Sequence, residues 1–197
     1  MIGRLTGKLT LKQPPWLLLE VGGVGYEIEA PMSTFYRLPA TGEVISLQTH
    51  LLVREDAQLL YGFATPAEKA LFRTLIKVSG VGPKVALAIL SGLSVDDFWS
   101  AVRSGESARL TKTPGIGKKT AERIVIEMRD RVTTATPGGG LAVTAPGAAM
   151  SPIAEARAAL EGLGYRPVEA QRLTDAVHQE QMTTDQIIRE ALKRAVR

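Results

Sequence analysis

The sequence contains no cysteine and only two histidines, His50 and His178. The missing cysteines exclude disulfide bonds, thiolate catalysis and cysteine-ligated zinc, and two histidines do not favour a histidine-rich metal site. No apolar run is long enough to span a bilayer, and the N-terminus lacks the apolar segment of a secretion signal. We therefore expect a soluble cytoplasmic protein with no membrane contact and with neither a metal nor a cofactor.

The composition is that of an ordinary globular protein, since 45% of the 197 residues are hydrophobic and 22% are charged. The net charge of +4 is unevenly distributed: it is −1 over residues 1–63, +5 over residues 64–133 and 0 over residues 134–197. A nucleic-acid footprint would place its excess of positive charge in one such segment. A solvated basic face explains the charge alone equally well.

The basic segment contains one motif twice, KVSGVGPKVA from Lys77 and KTPGIGKKTA from Lys112. Aligning the glycines also aligns the lysines and the final alanine. Each copy interrupts a helical pattern, so the segment is predicted to contain two helix-hairpin-helix motifs. A P-loop is excluded, because the glycine spacing is wrong and no strand precedes it.

Glycines in such a turn leave the backbone uncovered, so a phosphate can reach the amides at the start of the second helix. A helix C-cap followed by a tight turn is the alternative, but two copies in register in the basic segment favour a phosphate site. Val81 and Ile116 are expected to be buried as core residues or as plugs of the turn. The predicted site comprises Gly80, Val81, Gly82, Lys84, Gly115, Ile116, Gly117 and Lys119. Because it contacts only backbone phosphate, binding is expected to be either structure-selective or nonspecific, to depend strongly on salt and not to read base sequence.

Residues 1–63 read as short strands without a long helix, which predicts an OB-fold β-barrel. In one strand Tyr26 and Ile28 alternate with Glu27 and Glu29, which places the two pairs on opposite faces. The predicted strands are Thr6–Lys12, Trp16–Val21, Gly25–Ala30, Val44–Val53 and Leu59–Phe63, with a helical turn near Met32–Leu38.

Residues 64–132 read as an all-α domain that begins with the capping-box sequence Thr65-Pro-Ala-Glu68. Residues 133–150 are rich in glycine and small residues and are predicted to be a flexible linker. Residues 151–197 carry three helical patterns and are predicted to be a three-helix, UBA-like docking domain. Its expected core is Ala156, Leu160, Leu163, Leu173, Val177, Ile187, Ile188, Ala191 and Leu192. The fold class is therefore α+β and multidomain.

The sequence offers acidic pairs but no catalytic set. A helix-hairpin-helix glycosylase or structure-selective nuclease would need a catalytic Asp or Lys in a pocket, or clustered carboxylates for metal ions. Asp96 and Asp97 follow Ser94 at a predicted helix start, where capping is the favoured role. Glu55 and Asp56 lie between two strands, as in an ordinary polar turn. A noncatalytic DNA-binding platform is favoured over a repair enzyme.

Several motifs resemble the bacterial RuvA family of Holliday junction branch migration subunits. They include MIGRL at the N-terminus, EVGGVGY from Glu20, VREDAQLLYGF from Val53, GVGPK from Gly80 and PGIGKKTAER from Pro114. The resemblance implies an OB-fold, a tandem helix-hairpin-helix domain and a C-terminal domain that binds the hexameric RuvB ATPase. Lys118 and Arg123 lie within the last motif and join the predicted phosphate site.

The resemblance also implies an assembly and a second functional element. Four copies would form a flat homotetramer, or an octamer on DNA, whose basic face receives the four-way junction, and the RuvC resolvase would be a further partner. Glu55 and Asp56 match the family's acidic pin, which repels phosphates at the crossover. The resemblance thus changes the interpretation of this turn from a polar loop to a functional element. ATP hydrolysis would belong to RuvB, since this chain has no ATP site.

Overall fold

The computed structural model describes residues 1–134, 151–179 and 182–195. The chain divides into two compact units, Met1–Val132 and Thr133–Arg197. The predicted linker over residues 133–150 lies outside the described residues from position 135 onward. Within the described ranges no single helix is long and apolar enough to cross a membrane, and the one pair of helices that passes this test together is bent by 98°.

The first unit begins with five strands that close into a barrel in the order β1-β2-β3-β5-β4. Neighbouring strands are antiparallel except β3 and β5, which pair in parallel. This arrangement confirms the predicted OB-like barrel. The strands are β1 Arg4–Gln13, β2 Trp16–Val21, β3 Val24–Glu29, β4 Val44–Val53 and β5 Gln58–Phe63, with the short helix α1, Met32–Phe35, between β3 and β4.

Five helices follow the barrel and confirm the predicted helical segment. The first of them begins with the expected capping box: the Glu68 amide donates to Thr65 Oγ1 at 3.2 Å, and the Thr65 amide donates to Glu68 Oε2 at 3.1 Å. The helices are α2 Pro66–Leu75, α3 Pro83–Gly92, α4 Val95–Ser104, α5 Ser107–Leu110 and α6 Lys118–Thr134.

The barrel and the helices share a hydrophobic core. Tyr61 and Phe63 of β5 both pack against Phe72 of α2, with ring centroids 4.9 Å apart in each pair. All three rings belong to one buried cluster that extends through the helices to Met128. The barrel and the helices are therefore fixed to each other by packing.

The second unit contains α7 Pro152–Gly162, α8 Pro167–Asp175 and α9 Thr184–Ala195. Its core is formed by Leu160, Ala170 and Ala191, with Tyr165, Leu173, Val177 and Leu192 packed around them. The prediction was wrong for Leu163, which is 64% exposed. Leu163 is the C-cap of α7, and the chain turns there toward Gly164, which has a φ of 99°.

Candidate nucleic-acid interface

The two copies of the glycine motif fold identically. The first hairpin consists of α2, the turn over residues 76–82 and α3, and the second consists of α5, the turn over residues 111–117 and α6. Four backbone hydrogen bonds recur in both hairpins at equivalent positions. In the first hairpin the amides of residues 76, 78, 81 and 86 donate to the carbonyls of residues 72, 75, 78 and 82, respectively. In the second hairpin the amides of residues 111, 113, 116 and 121 donate to the carbonyls of residues 107, 110, 113 and 117.

Glycine is required in each turn by the backbone conformation. Gly80 has a φ of 81° and Gly115 a φ of 84°, a region that side chains with a Cβ rarely adopt. The second glycine has another use. Gly82 is the N-cap of α3 and has an ordinary φ of −83°, but it has no side chain to cap the helix amides. The amides of the first helical turn are thus left for another acceptor.

The groups predicted to bind phosphate are exposed, apart from two buried side chains. Val81 is 4% exposed and Ile116 is 6% exposed, as expected for plugs of the turn. Their amides donate to the carbonyls of residues 78 and 113. The remaining predicted residues lie at the surface: Gly80, Gly82, Lys84, Gly115, Gly117, Lys118, Lys119 and Arg123.

The hairpins also contact each other across their turns. Arg123 of α6 reaches the first turn, where its Nη1 lies 3.4 Å from Ser79 Oγ. A Cβ added at Gly80 would lie 3.3 Å from Arg123 Nη2. In the opposite direction, a Cβ added at Gly115 would lie 4.0 Å from a methyl of Val85 on α3. The second helix of each hairpin therefore borders the turn of the other.

The acidic residues Glu55 and Asp56 lie in the turn between β4 and β5, where the Arg54 amide donates to the Ala57 carbonyl at 2.8 Å. Both acidic side chains are exposed. Neither makes an ion pair or side-chain hydrogen bond with any residue that the structure describes. Both carboxylates are thus free to repel an approaching anion, to the extent that water and salt do not screen them.

Two polar residues near the first hairpin, Arg54 and Glu29, are not among those predicted from the sequence to form the site. Arg54 lines a cleft together with Lys84 at the start of α3. Glu29 lines the same cleft and is buried, although the strand alternation grouped it with Glu27, which is exposed. Burial raises the pKa of Glu29, the charge of Lys84 opposes that shift and Glu27 reinforces it. No local sequence signal identifies Glu29, because its burial depends on helices packed outside the barrel.

The other acidic pair has the predicted capping role. The Asp97 amide donates to Ser94 Oγ at 3.0 Å, and Ser94 Oγ donates to Asp97 Oδ2 at 2.6 Å. Asp97 also pairs with Arg109 at 3.5 Å. Across the described ranges, no three His, Asp or Glu side chains are grouped so that they could hold a metal ion.

Comparison with known proteins gives matches over most of the chain. Residues 1–62 match the model of the RuvA N terminal domain, residues 72–130 that of the SAM-like helix-hairpin-helix tandem, and residues 151–196 that of the RuvA C-terminal domain. Two relatives are each named Holliday junction branch migration complex subunit RuvA. The one from Thioalkalivibrio sulfidiphilus is 56% identical over 197 residues, with 98% of both chains covered. The one from Cronobacter sakazakii is 54% identical over 203 residues, with 100% of both covered.

Proposed function

Because the chain belongs to the RuvA family, we propose that it is the DNA-binding subunit of a Holliday junction branch migration complex. In this role it holds the four-way junction open and directs the RuvB ATPase to it during recombination, repair and the SOS response to DNA damage. The observation that carries the proposal is the pair of hairpins with equivalent hydrogen bonds, exposed glycines and exposed lysines.

Each hairpin is proposed to bind one stretch of DNA backbone. The uncapped amides at the start of α3 and α6 point toward the phosphate beside the positive end of the helix dipole. The lysines add full charges: Lys84 at the first hairpin, and Lys118 and Lys119 at the second. Arg123 projects from α6 to the first turn, so its charge would attract phosphates bound at either hairpin. Such contacts do not distinguish bases, so selectivity arises from the shape of the DNA.

The acidic turn supplies part of that selectivity. The charges of Glu55 and Asp56 are exposed, so a phosphate close to them is repelled. A four-way junction whose arms separate around the turn avoids this cost, whereas a continuous duplex lying across it does not. The hairpins would therefore attract DNA of many shapes, and the acidic turn would disfavour those without an open centre.

Membership of the family also supports a proposal for the assembly and for the role of each domain. We place the protein in the cytoplasm as a homotetramer, or as an octamer on DNA, with RuvC as a further partner. The barrel, residues 1–63, carries the tetramer contacts and the acidic turn, and residues 64–132 bind DNA. Residues 151–197 bind the RuvB hexamer, joined by the linker over residues 133–150.

The chain itself is proposed to be noncatalytic, with ATP hydrolysis supplied by RuvB. The test is to incubate the purified chain with end-labelled four-way junction and duplex DNA, with Mg²⁺ and without partners. We expect retention of the junction in preference to the duplex and no cut strands. Specific cleavage or base release would favour the alternative of a repair nuclease or glycosylase, and equal affinity for both DNAs would contradict structure-selective binding.

A further inference from the structure

Glu29 is a buried acid to which the proposed function gives no role. Among the described residues two acidic residues are buried, Glu29 and Glu68. Glu68 is satisfied by its capping box, where Oε2 accepts from the Thr65 amide at 3.1 Å and from Thr65 Oγ1 at 3.2 Å. No residue in the described ranges donates a hydrogen bond to the Glu29 side chain or pairs with it within 4.0 Å. An acid in this environment is sensitive to any charge brought near it.

Glu29 lies beside the first hairpin, where the barrel meets the start of α3. It lines two clefts, and Lys84 lines both of them with it. The larger cleft, of about 560 Å³, also contacts Trp16. The smaller, of about 290 Å³, is bordered by Arg54 and by Tyr61, the residue paired with Glu29 across the parallel strands β3 and β5. The charge of Lys84 opposes the rise that burial causes in the pKa of Glu29.

Among the residues that the structure describes, no buried Asp or Glu belongs to the second hairpin. Lys119 is the residue of α6 that aligns with Lys84. Glu68, the other buried acidic residue of the described residues, belongs to the start of α2 and is held by Thr65. The two hairpins thus have the same backbone hydrogen bonds, but only Lys84 of the first hairpin lines a cleft together with a buried acid, Glu29. The electrostatic surroundings of the two hairpins therefore differ.

We propose that Glu29 is a specificity-determining residue that weakens phosphate binding at the first hairpin relative to the second. This inference rests on the proposed function of Lys84 as a phosphate ligand. A phosphate at the first hairpin shares the Lys84 ammonium with the Glu29 carboxylate and is repelled by that carboxylate. At the second hairpin the acid closest to Lys119 along α6 is Glu122, which is exposed, so solvent screens its effect on the lysine. DNA at the first hairpin is therefore released more readily, which suits a protein whose bound DNA has to move.

The test begins with Glu29→Gln, which removes the charge and keeps the size of the side chain. Junction affinity at low salt should rise by about three- to tenfold, and the gain should shrink as salt screens the interaction. Glu20→Gln is the matched control, because it removes the same charge from an exposed position of the same barrel. Its gain should be smaller than about twofold. Glu29→Met, also neutral and of similar length, should reproduce the gain and replaces the Gln variant if that does not fold.

The same substitution in two further backgrounds separates this inference from the proposed function. The gain from Glu29→Gln should shrink when Lys84→Gln is present, because only the direct repulsion is then relieved, and it should persist in full when Lys119→Gln is present. If Lys84→Gln weakens binding but Glu29→Gln gives no gain, or no more than Glu20→Gln, the role of Glu29 is overturned and the phosphate site stands. If Lys84→Gln alone leaves affinity unchanged, the phosphate site at the first hairpin fails, and the inference fails with it.

Discussion

Arg123 on the last helix of the second hairpin reaches Ser79 in the turn of the first, with Nη1 3.4 Å from Oγ. The guanidinium also covers Gly80, the residue with positive φ in that turn. Arg123 is thus a residue of the second hairpin whose charge lies at the turn of the first. The two hairpins form a single basic surface, and substitutions meant to test it are best made in both copies.

The paired substitution Lys84→Glu with Lys119→Glu should weaken junction binding strongly. Each lysine lost from a phosphate contact should lower the slope of log affinity against log salt by about 0.9. Lys8→Glu with Lys193→Glu changes the net charge equally at exposed residues that belong to neither hairpin and serves as the control. Titration at several salt concentrations gives both quantities. An unchanged affinity and slope in the hairpin variant would show that these lysines do not contact DNA.

The paired substitution Gly82→Ala with Gly117→Ala should reduce DNA binding without reducing stability. Neither glycine has a positive φ, and an added Cβ meets no atom within 4 Å at either position. The methyl groups would instead stand where the phosphate approaches the amides. Loss of one hydrogen bond to a charged group, about 1.5–3 kcal/mol, predicts at least tenfold weaker binding. Gly92→Ala, at the end of α3 and equally unobstructed, should leave binding unchanged. Thermal unfolding and junction titration together check this, and wild-type affinity in the paired variant would contradict backbone contact at the turns.

The paired substitution Glu55→Gln with Asp56→Asn should reduce discrimination between four-way junction and duplex. The expected change is tighter duplex binding, because the repulsion is removed while the hairpins are intact. Glu20→Gln with Glu43→Gln removes two exposed charges elsewhere on the barrel and should not change the ratio of the two affinities. Competition titrations measure that ratio. If both paired variants shift it equally, the acidic turn acts only through net charge.

Truncation after Val132 should spare junction binding and abolish branch migration driven by RuvB. The expectation follows from the compact unit Met1–Val132, which contains both hairpins and the acidic turn. Binding is read by titration and migration by strand separation of a labelled junction in the presence of RuvB and ATP. Lost DNA binding in a truncated chain that unfolds at the wild-type temperature would mean that the second unit contributes to the DNA surface.

Acidification should destabilise the first unit through His50. Burial lowers the pKa of His50, Arg73 and Lys69 lower it further, and its buried Nδ1 has no hydrogen-bond partner among the described residues. The unfolded chain then binds a proton more readily than the folded chain, so stability falls as pH drops below about 6.5, the ordinary value for histidine. Chemical unfolding between pH 7.5 and 5 should show a flatter pH dependence for His50→Gln than for the wild type. His178→Gln, an exposed control in the other unit, should retain the wild-type slope.

Much of the fold could be predicted because its signals are local. The strand positions follow from short β-prone runs, and the start of α2 follows from Thr65 and Glu68, three positions apart as in a capping box. The hairpins follow from the repeated glycines. The prediction that Leu163 is a core residue was wrong for a reason that is also local. Its apolar side chain fits the helical spacing, but the residue lies at the end of α7, where the chain turns toward Gly164.

What could not be predicted depends on contacts between distant segments. Glu29 and Glu27 are equivalent by alternation, yet only Glu29 is buried, near Lys84 of α3. Likewise, no pattern places Arg123 beside a turn 44 residues earlier. These relationships come from the packing of the helices on the barrel, which no single stretch of sequence encodes.

The aromatic contact of Phe72 with Tyr61 and Phe63 has a mechanical consequence. Because α2 begins three residues after β5 ends and its ring is seated against that strand, no hinge separates the hairpins from the barrel. The first unit is therefore expected to move as one rigid body, so that a force applied to the hairpins would also reach the barrel.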